Sequence, residues 1–267
     1  MNGQKAIEGG QGPILQVESV TKAFGGVIAS RSVSFSIEKQ VIAGLIGPNG
    51  AGKTTLFNLM TGVYAPDQGR IVFNGVDIRG QKPHALVGRG IARTFQNVEL
   101  FGNMTALENV MIGRHVRTCC GFWDAILRLP RTAREERGIR SRAHEILEFV
   151  GLEDAANTRS ADLPFGWQRL LEIGRALACA PRLLLLDEPA AGLNAVETRQ
   201  LATLIRQISQ QGITIILVEH DMSLTMSICD FIVVIDQGAK IAEGQPRYIQ
   251  SHPAVMAAYL GTETAHA

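Results

Sequence analysis

The stretch Gly47 to Thr55, GPNGAGKTT, leaves fewer folding options than any other part of the chain. It follows the apolar run Val41 to Ile46 and precedes a helical pattern that begins at Lys53, so the spacing Gly-x-x-x-x-Gly-Lys-Thr falls between a strand and a helix. Glycines at those places let backbone N–H groups turn inward around a phosphate. Lys53 adds a point charge, and the Thr54 hydroxyl suits a magnesium ion. The positive dipole end of the following helix faces the same anion. The loop residues Gly47, Pro48, Asn49, Gly50, Ala51, Gly52, Lys53, Thr54 and Thr55 are therefore the candidate phosphate-binding site.

A chain of 267 residues with 46% apolar content can bury one large core, or a core with a subdomain. A formal net charge of +1 gives no bulk attraction for nucleic acid or an acidic partner. No apolar run approaches the ~18 residues of a membrane-spanning helix. The opening MNGQKAIEGGQGP has one lysine and no apolar centre, so residues 1–13 read as a disordered tail and not an export signal. Cys119, Cys120, Cys179 and Cys229 lack zinc-like spacing and read as buried or idle thiols in a reducing compartment.

Leu15 to Val20 and Val33 to Ile37 suggest an antiparallel β layer around the Phe24-Gly25-Gly26 turn. Phe24 reads there as a core residue, or as a ring that stacks on an adenine. Thr54 to Thr61 reads as a helix, Arg70 to Gly75 as a strand and turn, and Ile91 to Gln96 as extended. Thr105 to Glu108 is a capping box opening a helix. From there to about Val150 strand signals are missing, and Ile139, Ala143, Ile146, Leu147 and Val150 recur at helical spacing. A helical subdomain over residues 105–161 is thus expected inside an α/β core made of 14–104 and 162–250, with a helix and tail at 251–267. Its arginines 128, 131, 134, 137, 140 and 142 read as a solvated face, because Glu135 and Glu136 interrupt them and no aromatics interleave.

Beyond the insert, Leu183 to Leu186, Ile213 to Val218 and Phe231 to Ile235 are buried-strand runs. They alternate with helices at Ala195 to Gln210 and at Asp221 to Cys229, where Asp221 is the expected cap. That pattern means a mostly parallel sheet covered on both faces, with ligands beyond its carboxyl ends. Gly47, Asp187 and Glu219-His220 all fall there. Asp187 at a strand end can hold a magnesium shell, and Glu188 beside it can polarise an attacking water. Gln96 can touch both metal and water, and His220 can donate to a γ-phosphate oxygen.

With these residues in place, the chain resembles the ATP-binding-cassette ATPases. The resemblance is carried by GPNGAGKTT, Gln96, the segment Leu163-Pro164-Phe165-Gly166-Trp167-Gln168-Arg169, LLLLDEP at 183–189, AGLN at 191–194 and VEHD at 218–221, and it covers nearly all of the chain after the tail. Phe95-Gln96-Asn97, AAGLN, EHDM and AAYLG at 257–261 look like the LivG-type subunits of branched-chain amino acid importers. The resemblance implies a peripheral ATPase on the cytoplasmic face of the bacterial inner membrane, paired head to tail with a LivF-like subunit or a second copy, with two ATP molecules between them. Two membrane permease subunits would be its further partners, a periplasmic solute-binding protein an indirect one, and nucleic acid none. It further implies that Phe24 stacks adenine, that Lys53 and the loop amides bind phosphates, and that Thr54, Gln96 and Asp187 hold Mg2+. Glu188 would then be the general base and His220 the γ-phosphate sensor. The signature segment Leu163, Pro164, Phe165, Gly166 and Trp167, with a helix Gln168 to Ala178 behind it, would reach the facing subunit's nucleotide, with Asn194 at the same interface. The surface near Gln96, Leu100 and Phe101 would meet the membrane subunit. The usual LSGGQ signature is altered here: Pro164 brings neither hydroxyl nor N–H, and Trp167 replaces an amide with an indole. Export of lipid or lipopolysaccharide, and a soluble regulatory ATPase, are the alternatives.

Overall fold

Two sheets share the chain. The computed structural model describes residues 12–94, 96, 98–115 and 130–260, so most of the expected tail, Cys119, Cys120, Arg128 and Gly261 lie outside the described residues. Strands β1 (Leu15–Phe24), β2 (Val27–Ile37), β4 (Gln68–Phe73) and β5 (Val76–Asp77) form an antiparallel sheet in the order β2-β1-β4-β5. Strands β3 (Ile42–Ile46), β6 (Ile91–Arg93), β7 (Leu183–Asp187), β8 (Thr214–Val218), β9 (Phe231–Asp236) and β10 (Ala239–Gly244) form the second, ordered β10-β9-β3-β8-β7-β6. All its pairings are parallel except that of β10 with β9.

Every residue of β3, β7 and β8 is buried, as expected for strands covered on both faces. Alternation then sorts their side chains into two cores. Leu183, Leu185, Ile216 and Val218 join Phe57, Leu56 and the apolar face of the antiparallel sheet. Leu184, Leu186, Ile215 and Leu217 join helices α5 (Phe165–Ala178), α6 (Ala195–Gln210) and α7 (Met222–Ile228).

The helical insert is built on α3 (Ala106–His115) and α4 (Pro130–Phe149). The expected stripe Ile139, Ala143, Ile146, Leu147 and Val150 is buried, and all of it but Ile139 packs with Val110 of α3 into the core that continues under the parallel sheet. Removing a side chain as completely enclosed as Leu147 would cost about 2–5 kcal/mol. At its base the insert is pinched shut. Thr105 and Arg159 form an antiparallel bridge, Ala106 N–H donates to the Thr158 carbonyl at 2.9 Å, and Ser160 N–H donates to the Met104 carbonyl at 2.9 Å. The chain ends in α8 (Pro246–Gln250) and α9 (Pro253–Leu260), both packed on β10.

Several boundaries differ from expectation. The first two strands run past Val20 and begin before Val33, because bulged pairing carries the ladder through polar residues to the Phe24–Val27 pair. A helix, α2 (Pro83–Arg89), precedes β6. The helix behind the signature segment starts at Phe165 and not at Gln168, with Pro164 as its N-cap residue.

Candidate functional site

Strands β3, β8 and β7 are neighbours, so their carboxyl ends place three loops side by side: Gly47 onward, Glu219-His220 and Glu188 onward. Between them lies a cleft of about 590 Å³ bounded by the loop residues Asn49 to Thr55, by Gln96, Glu188 and His220, and by Val27 to Ala29 of β2. The loop itself is held from outside. Gly52, at φ +100°, sits so close to β2 that a Cβ there would come 2.3 Å from the Ala29 carbonyl oxygen. The Gly238 N–H donates to the Ala51 carbonyl at 2.9 Å, tying the β9–β10 turn to the loop.

Helix α1 (Lys53–Met60) leaves this loop with Gly52 at its N-cap and no side-chain cap. Its first N–H groups are therefore available to an anion. Lys53 is buried and folds back, its Nζ donating to the Gly47 carbonyl at 2.6 Å and to the Pro48 carbonyl at 2.9 Å. Burial lowers its pKa and the Glu188 carboxylate opposes that shift. Thr54 is exposed at the mouth.

The carboxylates come from the end of β7. Asp187 is buried, its N–H donating to Thr94 Oγ1 at 3.3 Å. Desolvation raises its pKa, and the Arg93 guanidinium is the main opposing charge. Glu188 follows at φ 46°, a conformation that non-glycine residues rarely adopt and that costs on the order of 1–3 kcal/mol. Its N–H donates to the Val218 carbonyl at 2.9 Å, which holds the turn against β8. The side chain is 14% exposed and engaged at both oxygens: Gln96 Nε2 donates to Oε2 at 3.1 Å, and His220 Nε2 lies 2.5 Å from Oε1. Gln96, Glu188 and His220, which are 92 and 32 residues apart in pairs, thus meet in one hydrogen-bonded group.

Two residues to which the sequence assigns no role of their own hold this group in place. Glu219 is buried, its Oε1 accepting from Ala190 N–H at 2.8 Å and its Oε2 from His220 N–H at 3.2 Å; desolvation nonetheless raises its pKa. Its place at the end of a buried strand, beside His220, is the signal that could have found it. Arg169 is buried in α5 with Glu172 at 3.2 Å, and its Nη2 donates to the Gln96 carbonyl at 2.9 Å. The backbone of Gln96 is thereby fixed to the signature helix.

Phe24 does not join the core. It is 41% exposed, packs edge-on to Tyr64 at 5.1 Å and has Lys22 Nζ 5.3 Å from its ring centre, and it does not line the cleft at the phosphate loop. The signature segment lies away from this chain's own cleft: Leu163 is buried, whereas Phe165 and Trp167 are 46% and 43% exposed on the first turn of α5. Asn194 caps α6, its side chain accepting from Val196 N–H at 2.9 Å and Glu197 N–H at 3.0 Å, with Glu197 returning the bond. A second groove, of about 620 Å³, opens between α2, α3 and α5 and is lined by Leu100, Phe101, Arg93 and Arg175 among others. Of the cysteines, Cys229 is buried, with its thiol pushed well up by desolvation, and Cys179 bonds the Gly113 carbonyl at 3.3 Å. Among the described residues no helix is long and apolar enough to cross a membrane.

Residues 30–191 match the family described as ABC transporter, and residues 239–265 match the one described as branched-chain amino acid ATP-binding cassette transporter. Over 250 residues the sequence is 46% identical to the high-affinity branched-chain amino acid transport ATP-binding protein BraF of Pseudomonas aeruginosa, covering 93% of this chain and 98% of that one. Over the same length it is 42% identical to the corresponding LivG protein of Escherichia coli, with the same shares covered. The crystal structure of an ATP-binding cassette of an ABC transporter in its ADP conformation superposes with a TM-score of 0.82 at 33% identity, over 94% of this chain and 100% of that one.

Proposed function

From the premise that the chain belongs to the ABC transporter family, we propose that it is the ATP-hydrolysing subunit of an importer for branched-chain amino acids. The observation that carries the reading is the convergence of Gln96, Glu188 and His220 beside a phosphate loop whose lysine is turned onto the loop carbonyls of Gly47 and Pro48.

The loop amides and the open end of α1 bind the phosphate chain, and Lys53 swings from the carbonyls of Gly47 and Pro48 to the phosphates. Phe24 stacks on the adenine. Thr54, Gln96 and Asp187 present oxygen donors of the kind Mg2+ prefers and are its proposed holders. The ion, when bound, neutralises charge on the phosphate oxygens. In the structure Glu188 is occupied on both sides, and as base it must be released. Gln96 turning toward the metal and His220 toward the terminal phosphate would free its carboxylate. Glu188 then accepts a proton from a water whose oxygen attacks the terminal phosphorus, while the bond to the bridging oxygen breaks and ADP leaves. Arg169 makes the position of Gln96 depend on α5, so hydrolysis is sensitive to movement of the helical insert.

The exposed Phe165 and Trp167 and the open start of α5 form the proposed contact with the facing ATPase subunit, LivF-like or a second copy. The groove at Leu100 and Phe101 is the proposed seat of a membrane subunit on the cytoplasmic face. The branched-chain amino acid reading is supported by the names of the relatives and by the match over 239–265.

The test is reconstitution of the chain with its partner ATPase and membrane subunits in vesicles, supplied with the solute-binding protein. Magnesium-ATP should bind, and leucine, isoleucine or valine should accumulate only while ATP is hydrolysed. A chain that does not bind magnesium-ATP overturns the ATPase reading, and ATP-driven uptake that excludes these amino acids overturns the solute.

A further inference from the structure

One buried carboxylate beside the cleft serves the main chain of two loops at once. Glu219, directly after β8, is 4% exposed. Its Oε1 accepts from the Ala190 N–H at 2.8 Å, on the loop that follows Glu188, and its Oε2 accepts from the N–H of His220 at 3.2 Å. Burial works against the charge and raises the Glu219 pKa, while the same two N–H groups oppose the shift. Charge-assisted bonds to both loops are what offset the desolvation.

These two loops carry the pair that must part before Glu188 can act as a base. His220 Nε2 lies 2.5 Å from Glu188 Oε1. The Glu188 N–H donates to the carbonyl of Val218, the residue before Glu219, at 2.9 Å. The backbone bond and the Glu219 carboxylate thus fasten the chain at Glu188 to Ala190 onto the chain at Val218 to His220 at two levels. The His220 ring, by contrast, is half-exposed, so it can turn while its backbone stays put.

We propose that Glu219 is a positioning residue for hydrolysis, whose carboxylate sets the spacing between the Glu188 and His220 backbones. The transfer of His220 from Glu188 to the terminal phosphate is then a rotation of one side chain about a fixed main chain. The inference rests on the proposed ATPase reading and deepens it at the same site. An amide in place of the carboxylate can accept from one loop only, because its NH2 group would face the other N–H donor. The released loop would drift, and a displacement of about 1 Å near reacting groups costs on the order of a hundredfold in rate. The phosphate loop takes no part in this clamp, so the grip on the nucleotide is left intact.

The experiment places Glu219→Gln in the assembled transporter, with and without His220→Ala, and measures the magnesium-ATP Kd, KM and kcat separately. Hydrogen exchange at the Ala190 and His220 amides is followed in the wild-type full chain. Alone, Glu219→Gln should lower kcat about tenfold to a hundredfold while Kd and KM stay within about twofold. Beside His220→Ala, where no imidazole remains to be spaced, it should change the residual kcat by less than about threefold. Both wild-type amides should exchange slowly. Unchanged kcat in Glu219→Gln overturns the inference. So does an equal loss with His220 present and absent, which would mean damage to the fold and not to the spacing. Fast exchange at both wild-type amides overturns it even where the variant does not fold. A wild-type transporter that hydrolyses no ATP while both amides are protected overturns the ATPase reading, and this inference with it.

Discussion

Helices α6 and α7 start on side chains that close them, whereas α1 and α5 start open. Asn194 and Glu197 cap α6 reciprocally, and Asp221 accepts from the N–H groups of Ser223 at 2.8 Å and Leu224 at 3.1 Å at the start of α7. Helix α3 has the same kind of box through Thr105 and Glu108. Helices α2, α4, α8 and α9 begin on proline, which removes one orphan donor at that end. Only α1, behind Gly52, and α5, behind Pro164, have neither device among the described residues. A cap stabilises a helix by about 1 kcal/mol, so its absence at these two places is a cost to the free chain. Both are the places where the family resemblance calls for phosphate. The difference teaches that side chains complete the helix ends that serve only the fold, while the two ends left open are the ones proposed to meet a nucleotide.

Three variants test that contrast. Glu188→Gln separates gripping from chemistry: turnover should fall by about 10²- to 10⁴-fold while magnesium-ATP still binds, because the open end of α1 is untouched. Phosphate release and equilibrium binding check it together, and near-normal turnover would remove Glu188 from its role. Asp221→Ala opens a closed end and should cost about 1 kcal/mol, a fall of roughly 2–4 °C in Tm at neutral pH. The hydrogen bonds from Ser223 and Leu224 hold the Asp221 carboxyl below its ordinary pKa. The cap's contribution is therefore present above the usual aspartate range and is lost as pH falls through the depressed value, so the two melting curves should converge in strong acid. Pro164→Ser closes an open end and is the smallest effect, a gain of at most about 1 kcal/mol in the free chain. The same change restores the hydroxyl and N–H of the usual signature and should strengthen nucleotide-driven pairing with the facing subunit, read by sedimentation with and without ATP.

The site was largely legible in the sequence, since short motifs with fixed spacing carry it. Asp187, Glu188 and His220 stand where buried runs stop, and those runs are as apolar in the structure as in the text. Phe24 reads in sequence as core or as a stacking ring, and only the Phe24–Val27 pairing shows that the hairpin carries it out of the core. Helix α5 was read as starting late, since Pro-Phe-Gly-Trp looks like a loop until Trp167 and Gln168 N–H are seen donating to the Pro164 carbonyl. Nothing in the sequence marks Arg169 and Glu172 as a buried pair, and their burial follows from the packing of α5 between insert and sheet.

The pinch at Thr105 and Arg159 has a consequence of its own. A segment stitched shut where it leaves and rejoins the body moves as one piece, and the core it shares with the helices beneath the strands carries that movement inward.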